Sequence, residues 1–152
     1  GIEISNPGHE YGYKKFNSNQ ISSLIKLLKY LKKKYSIKSK NILGHSDIAP
    51  CRKKDPGEKF PWKKLADKNL CEWHNLSINQ IKKKRNLNVS FFEKKVFFRN
   101  LHKIGFSKNV KIKNKSYRTF LVKAFQRKYR QNLINGKIDQ ECFLVSKNLV
   151  KI

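Results

Sequence analysis

Apolar residues recur every three or four positions in the segment that follows Asn17, which is the spacing of a helix with one buried face. Lysines take the opposite face and crowd the C-terminal turns, where the helix dipole favours cations. Asn17, Ser18 and Asn19 are all residue types that cap helix N-termini. The pattern therefore predicts an amphipathic helix whose buried face carries Ile21, Leu24, Ile25, Leu28, Leu31 and Tyr35.

Two short segments on either side of this helix are typical of β-strands. Ile2 and Ile4 alternate with Glu3, which is the period of a strand, and an Asn-Pro-Gly turn ends the segment. Residues 41–45 form a second apolar run that ends in Gly-His. We expect these strands to share one sheet, with the helix covering one of its faces, so the pattern predicts an α/β fold class for this part.

From Phe91 onwards the pattern changes to that of a small unit of three helices. Gly105 ends the first helix, and Asp139 is a capping residue for the last one. A polar and strongly basic stretch precedes the unit. We therefore divide the chain into a first domain over 1–76, a basic linker over 77–89 and a helical domain over 90–152. The positions that indicate the first two helices are Phe92, Val96, Phe97, Leu101 and Ile104, then Phe120, Leu121, Ala124, Phe125 and Tyr129.

The composition fits a folded chain with an extreme positive charge. Of the 152 residues, 38% are hydrophobic, which is enough for a core. No apolar run is long enough to span a bilayer. The net charge of +26 indicates either a polyanionic partner or a compositional bias towards Lys, Asn and Ile. The aromatic residues do not interleave with basic ones in a pattern typical of DNA or RNA recognition, so we expect no nucleic-acid partner.

The three cysteines, at positions 51, 71 and 142, carry no CxxC spacing. An odd number without that spacing argues against a zinc ribbon and against a complete disulfide framework. One pair can form if the protein is exported. Otherwise we interpret the three as ordinary small residues.

Candidate chemistry is concentrated in the loop from Leu43 to Trp62, which presents His45, Lys53 and Asp55 in a fixed order. Imidazole nitrogen and carboxylate oxygen are both zinc ligands, and a ligand at a strand end can meet one on a returning loop. A catalytic zinc site takes about three protein ligands and an open water position. Spacing alone therefore leaves two interpretations open, a metal site and a structural histidine.

The same loop, GHSDIAPCRKKDPGEKFPW, resembles the signature of zinc-dependent N-acetylmuramoyl-L-alanine amidases of the AmpD/AmiD type. The resemblance extends upstream to Gly1–Ile4, the Asn-Pro-Gly turn, Tyr13 and Phe16, and covers about residues 1–73. It implies an α/β fold in which the first part of the chain is the C-terminal portion of a mixed-sheet amidase domain flanked by helices. The small three-helix domain follows it.

The resemblance also implies a role for each matching residue. His45 and Asp55 match two of the family's Zn²⁺ ligands. Lys53 matches the lysine that stabilises the oxyanion, and Glu3 matches the glutamate that handles the proton of the attacking water. The implied reaction is hydrolysis of the amide bond between N-acetylmuramic acid and L-alanine, in peptidoglycan or in muropeptides.

One departure from the family concerns its first zinc ligand, a histidine on an earlier strand. Residues His9, His74 and His102 do not stand at matching positions. The chain also starts inside a strand-like pattern and without Met. We therefore expect a fragment or processed form of a longer protein, with the N-terminal part of the amidase domain missing. The alternative function is that of a non-catalytic cell-wall-binding protein.

The C-terminal unit has a resemblance of its own. The motifs AFQRKYR, from Ala124 to Arg130, and NGKID, from Asn135 to Asp139, resemble the three-helix peptidoglycan-binding domain. Its pairing with an amidase is typical of the AmiD branch, which implies the cell envelope, either in the periplasm or associated with the outer membrane. The basic charge suits a wall that bears carboxylates and other anions.

Overall fold

The computed structural model describes residues 1–106 and 115–151, and their regular structure is helical throughout. No helix in these ranges is both long enough and apolar enough to cross a membrane. In chain order the elements are α1 (Ser18–Lys34), a 3₁₀ helix (Ser39–Asn41), α2 (His45–Ile48), α3 (Trp62–Ala66), α4 (Ile78–Lys82), α5 (Phe91–Lys103), α6 (Lys115–Tyr129) and α7 (Gln140–Leu149).

The predicted mixed-sheet α/β fold class is wrong for the part of the chain that the structure describes, since it contains no strand. Residues 41–45 are not a strand, because a 3₁₀ turn ends at Asn41 and His45 begins α2. The backbone there is satisfied locally: the Gly44 N–H donates to Asp47 Oδ2 at 2.9 Å. Alternation of apolar and polar residues predicts an extended segment, but a strand also needs a neighbouring backbone to pair with.

The amphipathic helix that follows Asn17 is confirmed as α1. Asn17 caps it, since its side chain accepts from the Asn19 N–H at 2.8 Å while the Gln20 side chain accepts from the Asn17 N–H at 3.0 Å. This reciprocal arrangement is a capping box. The buried face of α1 packs in an N-terminal core cluster formed by Ile21, Leu24, Leu28, Phe60, Trp62, Leu65, Leu70 and Cys71.

The three C-terminal helices are confirmed as α5, α6 and α7, and they enclose a second core cluster. Phe125 lies at its centre and is fully buried. The Phe125 ring centroid lies 5.2 Å from that of Phe97, 6.1 Å from Phe106 and 5.1 Å from Tyr129. Asp139 caps α7 as expected, because its Oδ1 accepts from the Cys142 N–H at 3.0 Å.

The stretch that we treated as a linker contains α4, whose Ile81 is buried in the C-terminal cluster. Arg85, just beyond α4, donates from Nη2 to Glu141 Oε1 in α7 at 2.9 Å. Trp73 packs against both core clusters. The segment between the clusters is therefore folded onto the helical unit, while the domain boundaries at 76 and 89 stay a prediction.

All three cysteines are free thiols, and only Cys51 is exposed. Burial raises the pKa of Cys71 to about 11 and that of Cys142 to about 12. Because the thiolate is the reactive form, we expect one thiol per chain to react with Ellman's reagent at pH 8, and all three in denaturant. The measurement is the absorbance of the released thiolate. Rapid reaction of three thiols in the native protein would contradict the burial of Cys71 and Cys142.

Candidate active site

The loop that starts at Gly44 is folded tightly around a glycine and a tryptophan. A Cβ atom added at Gly44 would lie 2.7 Å from Pro56 Cδ and 3.0 Å from Trp62 Cζ2, so only glycine fits there without displacing the returning chain. The Ser46 N–H donates to the Asp55 carbonyl at 2.9 Å. These contacts bring the segment around Asp55 back onto the first turn of α2.

His45 and Asp55 consequently meet at the surface. His45 Nδ1 lies 3.1 Å from Asp55 Oδ2, and the two side chains are 52% and 59% exposed. The two residues that we predict as zinc ligands are thus adjacent in space, although ten positions apart in sequence. Both can be reached from solvent, so a ligand can approach the pair without any rearrangement of the core.

The donor set of this pair fits zinc in kind and in spacing. Two ligand atoms at 2.0–2.1 Å from a tetrahedral zinc lie about 3.3 Å apart, and the observed separation is 3.1 Å. Within residues 1–106 and 115–151, no group of three or more His, Cys, Asp and Glu side chains is placed to hold a metal ion. His45 and Asp55 therefore supply two donors of the approximately three that a catalytic zinc takes from protein.

Glu3 and Lys53, the other two predicted site residues, are both exposed. The Lys53 N–H donates to the Ala49 carbonyl at 2.9 Å, which anchors its backbone to the end of α2. Glu3 lies in the irregular segment before the first turn. Neither side chain forms a hydrogen bond or ion pair with His45 or Asp55. Their assigned roles, and those of His45 and Asp55, stay predictions.

A buried ion pair beneath α2 was missed by the sequence analysis. Lys128 Nζ of α6 lies 2.7 Å from Asp47 Oδ2, and the two side chains are only 3% and 1% exposed. Burial disfavours the charged ammonium, but the Asp47 carboxylate outweighs this and holds the pKa of Lys128 above its ordinary value. The helical spacing of the sequence does indicate that Lys128 is buried, because it follows Leu121 and Ala124 on the apolar face of α6.

A second polar cluster supports the far side of the loop. Tyr13 donates its hydroxyl to the Pro56 carbonyl at 2.7 Å and accepts from the Lys59 N–H at 2.8 Å. Burial raises the pKa of Tyr13 to about 12. His9 Nε2 lies 3.0 Å from Glu58 Oε2. Because His9 is paired with Glu58, it does not join His45 and Asp55.

The C-terminal unit carries a basic groove of about 1170 Å³ along α5. Phe91 and Phe98 contribute aromatic surface, and Phe91 is 73% exposed. The Arg118 guanidinium lies 5.5 Å from the Phe98 ring centroid. The cationic side chains that line the groove are Lys94, Lys95, Arg99, Arg118 and Lys137. Such a surface is suited to an anionic ligand with flat or apolar faces.

Residues 1–58 match the family described as N-acetylmuramoyl-L-alanine amidase. The chain is also 29% identical to the N-acetylmuramoyl-L-alanine amidase AmiD of Escherichia coli strain K12, over an alignment of 156 positions. That alignment covers 99% of this chain and 56% of AmiD. The resemblance predicted from the loop motif is therefore confirmed.

Solved structures show the same likeness. The E. coli AmiD complex with anhydro-N-acetylmuramic acid-L-Ala-D-γ-Glu-L-Lys superposes with a TM-score of 0.78 at 29% identity, covering 92% of this chain and 54% of that one. AmpDh3 from Pseudomonas aeruginosa superposes with a TM-score of 0.77 at 26% identity, covering 92% and 55%. The chain thus spans about half the length of the relatives it matches.

Proposed function

We infer, from the confirmed similarity of residues 1–58 to the N-acetylmuramoyl-L-alanine amidases, that this chain forms part of an enzyme that hydrolyses the amide bond between N-acetylmuramic acid and L-alanine. The observation that carries the proposal is the meeting of His45 and Asp55 at 3.1 Å inside the matching loop. Two metal donors brought together from separate positions are a requirement of this chemistry, whereas a structural histidine needs no such partner at the surface.

The substrate class follows from the ligands of the similar structures. The E. coli AmiD structure holds an anhydro-N-acetylmuramic acid peptide, and a Pseudomonas aeruginosa AmpDh3 structure holds an anhydromuramic pentapeptide. We propose a peptidoglycan-derived substrate of this kind, either a released muropeptide or the wall itself. Such a substrate carries stem-peptide carboxylates, which a chain with a net charge of +26 attracts at long range.

The proposed mechanism assigns one task to each side chain. His45 and Asp55 would hold Zn²⁺, which would supply polarisation of the amide carbonyl and a lowered pKa of water. Glu3 accepts a proton from the attacking water and returns it to the leaving L-alanine amine. The Lys53 ammonium stabilises the negative charge that develops on the carbonyl oxygen.

The C-terminal unit supports a second part of the proposed function, which is binding to the cell wall. Its fold of α5, α6 and α7 leaves the basic groove facing solvent. We propose that this unit binds peptidoglycan and that the protein works in the cell envelope. Retention of the chain on purified sacculi without amide cleavage would favour the alternative, a non-catalytic wall-binding protein.

The test is zinc-dependent release of the stem peptide from an anhydromuramyl peptide. The chain is loaded with zinc, and product is separated by chromatography and identified by mass. Asp55→Ala is expected to weaken zinc binding by more than about 100-fold, beyond the roughly 10–100-fold that outer-shell substitutions cost, and to abolish release. Zinc affinity is measured by competition with a chromophoric chelator.

Asp67→Ala is the matched control, because Asp67 is an exposed carboxylate whose pairing with Lys63 lies outside the loop. We expect it to bind zinc and to release peptide as the unmodified chain does. Equal zinc affinity in Asp55→Ala and Asp67→Ala would remove Asp55 from the metal site. Zinc binding without release would leave the wall-binding alternative as the function.

A further inference from the structure

The buried pair of Asp47 and Lys128 joins the candidate active site to the C-terminal unit. Asp47 lies in the single turn of α2 that His45 begins, and Lys128 lies near the end of α6. The two residues are 81 positions apart in sequence, yet both are almost completely buried. An ion pair excluded from water to this degree is costly to form and costly to break on one side only. Asp47 follows His45 by two positions, so the pair can influence how α2 presents the imidazole.

Asp47 acts on the backbone that carries His45. The same carboxylate oxygen that pairs with Lys128 also accepts the Gly44 N–H at 2.9 Å. The Asp47 N–H in turn donates to the Gly44 carbonyl at 3.0 Å. Gly44 immediately precedes His45, so these two bonds fix the direction in which the first turn of α2 presents the imidazole.

Lys128 is held in place from its other side by Trp62. Its ammonium lies 4.4 Å from the Trp62 ring centroid, within the range of a cation–π contact. Trp62 also lies where a Gly44 side chain would be, at 3.0 Å from the hypothetical Cβ. Three residues further on, Gln131 donates from Nε2 to the Phe60 carbonyl at 2.6 Å. Lys128 in the last turn of α6 and Gln131 just beyond the helix therefore contact both ends of the loop.

We propose that the buried Asp47–Lys128 pair is a positioning device for His45, through which the C-terminal unit sets the geometry of the metal site. The C-terminal unit is then part of the active site's support as well as a wall-binding element. The proposal rests on the proposed function for its zinc-dependent consequence, but the positioning itself concerns the backbone of Gly44 and α2. Neither Asp47 nor Lys128 touches the substrate in this account.

The test is Lys128→Met in the full chain, with two measurements. Without the ammonium, the Asp47 carboxylate is left buried and uncompensated, so it turns towards water and releases the Gly44 N–H. We expect the Gly44 amide to exchange its hydrogen at least about tenfold faster, as followed by NMR. We expect zinc affinity to fall about 10–100-fold, the range for groups that orient a metal ligand without binding the metal.

The control for general loss of stability is Arg85→Met, which removes a cation from its pair with Glu141 elsewhere in the C-terminal unit. It should leave both the Gly44 exchange and the zinc affinity unchanged. The proposal would be overturned if Lys128→Met and Arg85→Met had equal effects. It would also be overturned if neither variant changed the Gly44 exchange or the zinc affinity. If the unmodified chain binds no zinc, the assignment of His45 and Asp55 as zinc ligands fails. The Gly44 exchange still tests whether the Asp47–Lys128 pair positions the backbone before His45.

Two double variants keep the proposal testable if Lys128→Met does not fold. Asp47→Asn with Lys128→Met is neutral and retains an oxygen for the Gly44 N–H, whereas Asp47→Ala with Lys128→Met is neutral and lacks it. We expect the first to retain slow Gly44 exchange and zinc affinity within about threefold of the unmodified chain, and the second to lose both by the factors given above. Identical behaviour of the two would refute the positioning role of Asp47.

Discussion

Glu3→Gln is expected to lower the rate of muramyl amide hydrolysis by about 100- to 10,000-fold, the contribution typical of a general base, without weakening zinc binding. The glutamine side chain has the shape of glutamate, but its amide cannot accept the proton of the attacking water. Glu3 is exposed and forms no hydrogen bond or ion pair with His45 or Asp55, so its replacement leaves the metal donors in place. The measurement is kcat for stem-peptide release together with zinc affinity.

Glu10→Gln is the control for this variant. Glu10 is an exposed glutamate in the same N-terminal stretch and carries no predicted role. We expect its kcat to equal that of the unmodified chain. A normal kcat in Glu3→Gln would show that another group moves the proton, and a parallel loss of zinc would show that Glu3 is instead a ligand. Only loss of kcat at constant zinc affinity agrees with the assigned role.

The features that sequence could predict here are local ones. The Asn17 cap of α1 and the burial of Ile21, Leu24 and Leu28 depend on residues within a few positions of each other, and both are confirmed. Tyr35, which the pattern placed on the same face, is exposed. The same holds for the Asp139 cap of α7. The proximity of His45 and Asp55 is also a local result, since only nine residues, Pro50 among them, separate the two.

The failures concern long-range pairing. The segment from Ile2 to Ile4 has the alternation of a strand, but a strand forms only if another backbone lies beside it. In the structure, the neighbouring Ser5 carbonyl instead accepts a hydrogen bond from Gln20 Nε2 at 2.8 Å. Helical spacing places Lys128 on the apolar face of α6, but no local pattern links it to an aspartate 81 positions earlier. The spacing of apolar residues identifies which face of a helix is buried. It does not identify the segment against which that face packs.

Cations of the C-terminal half of the chain repeatedly form ion pairs with buried carboxylates. Within the described residues, three cations are paired with buried carboxylates: Lys128 with Asp47, Arg130 with Asp139, and Arg85 with Glu141. Each pair joins segments that are separate in sequence. The chain has only ten acidic residues against 36 basic ones. We therefore expect replacement of a buried carboxylate to destabilise the fold more than replacement of a solvated lysine.

Arg130→Met is expected to destabilise the chain by about 3–5 kcal/mol, the cost of breaking a buried ion pair from one side. Arg130 is 4% exposed and pairs with Asp139, while its Nη2 donates to Asn135 Oδ1 at 3.0 Å. Methionine fills much of the volume but leaves the buried Asp139 carboxylate without its cation, whereas Glu141 keeps Arg85. The measurement is the free energy of unfolding in urea at pH 7. Lys63→Met, which breaks the exposed pair with Asp67, should cost no more than about 1 kcal/mol.

The difference between Arg130→Met and the unmodified chain should shrink in acid. Burial opposes the ionisation of Asp139, but hydrogen bonds from the Cys142 and Asn86 N–H groups, together with Arg130, outweigh it and lower its pKa. A carboxyl whose pKa is lower in the folded state stabilises the fold above its unfolded pKa of about 3.9, and this contribution is lost as pH falls through the folded value. Protonated Asp139 no longer needs the guanidinium. A difference in unfolding free energy that is as large at pH 3 as at pH 7 would therefore mean that Arg130 stabilises the unit by packing and not by its charge.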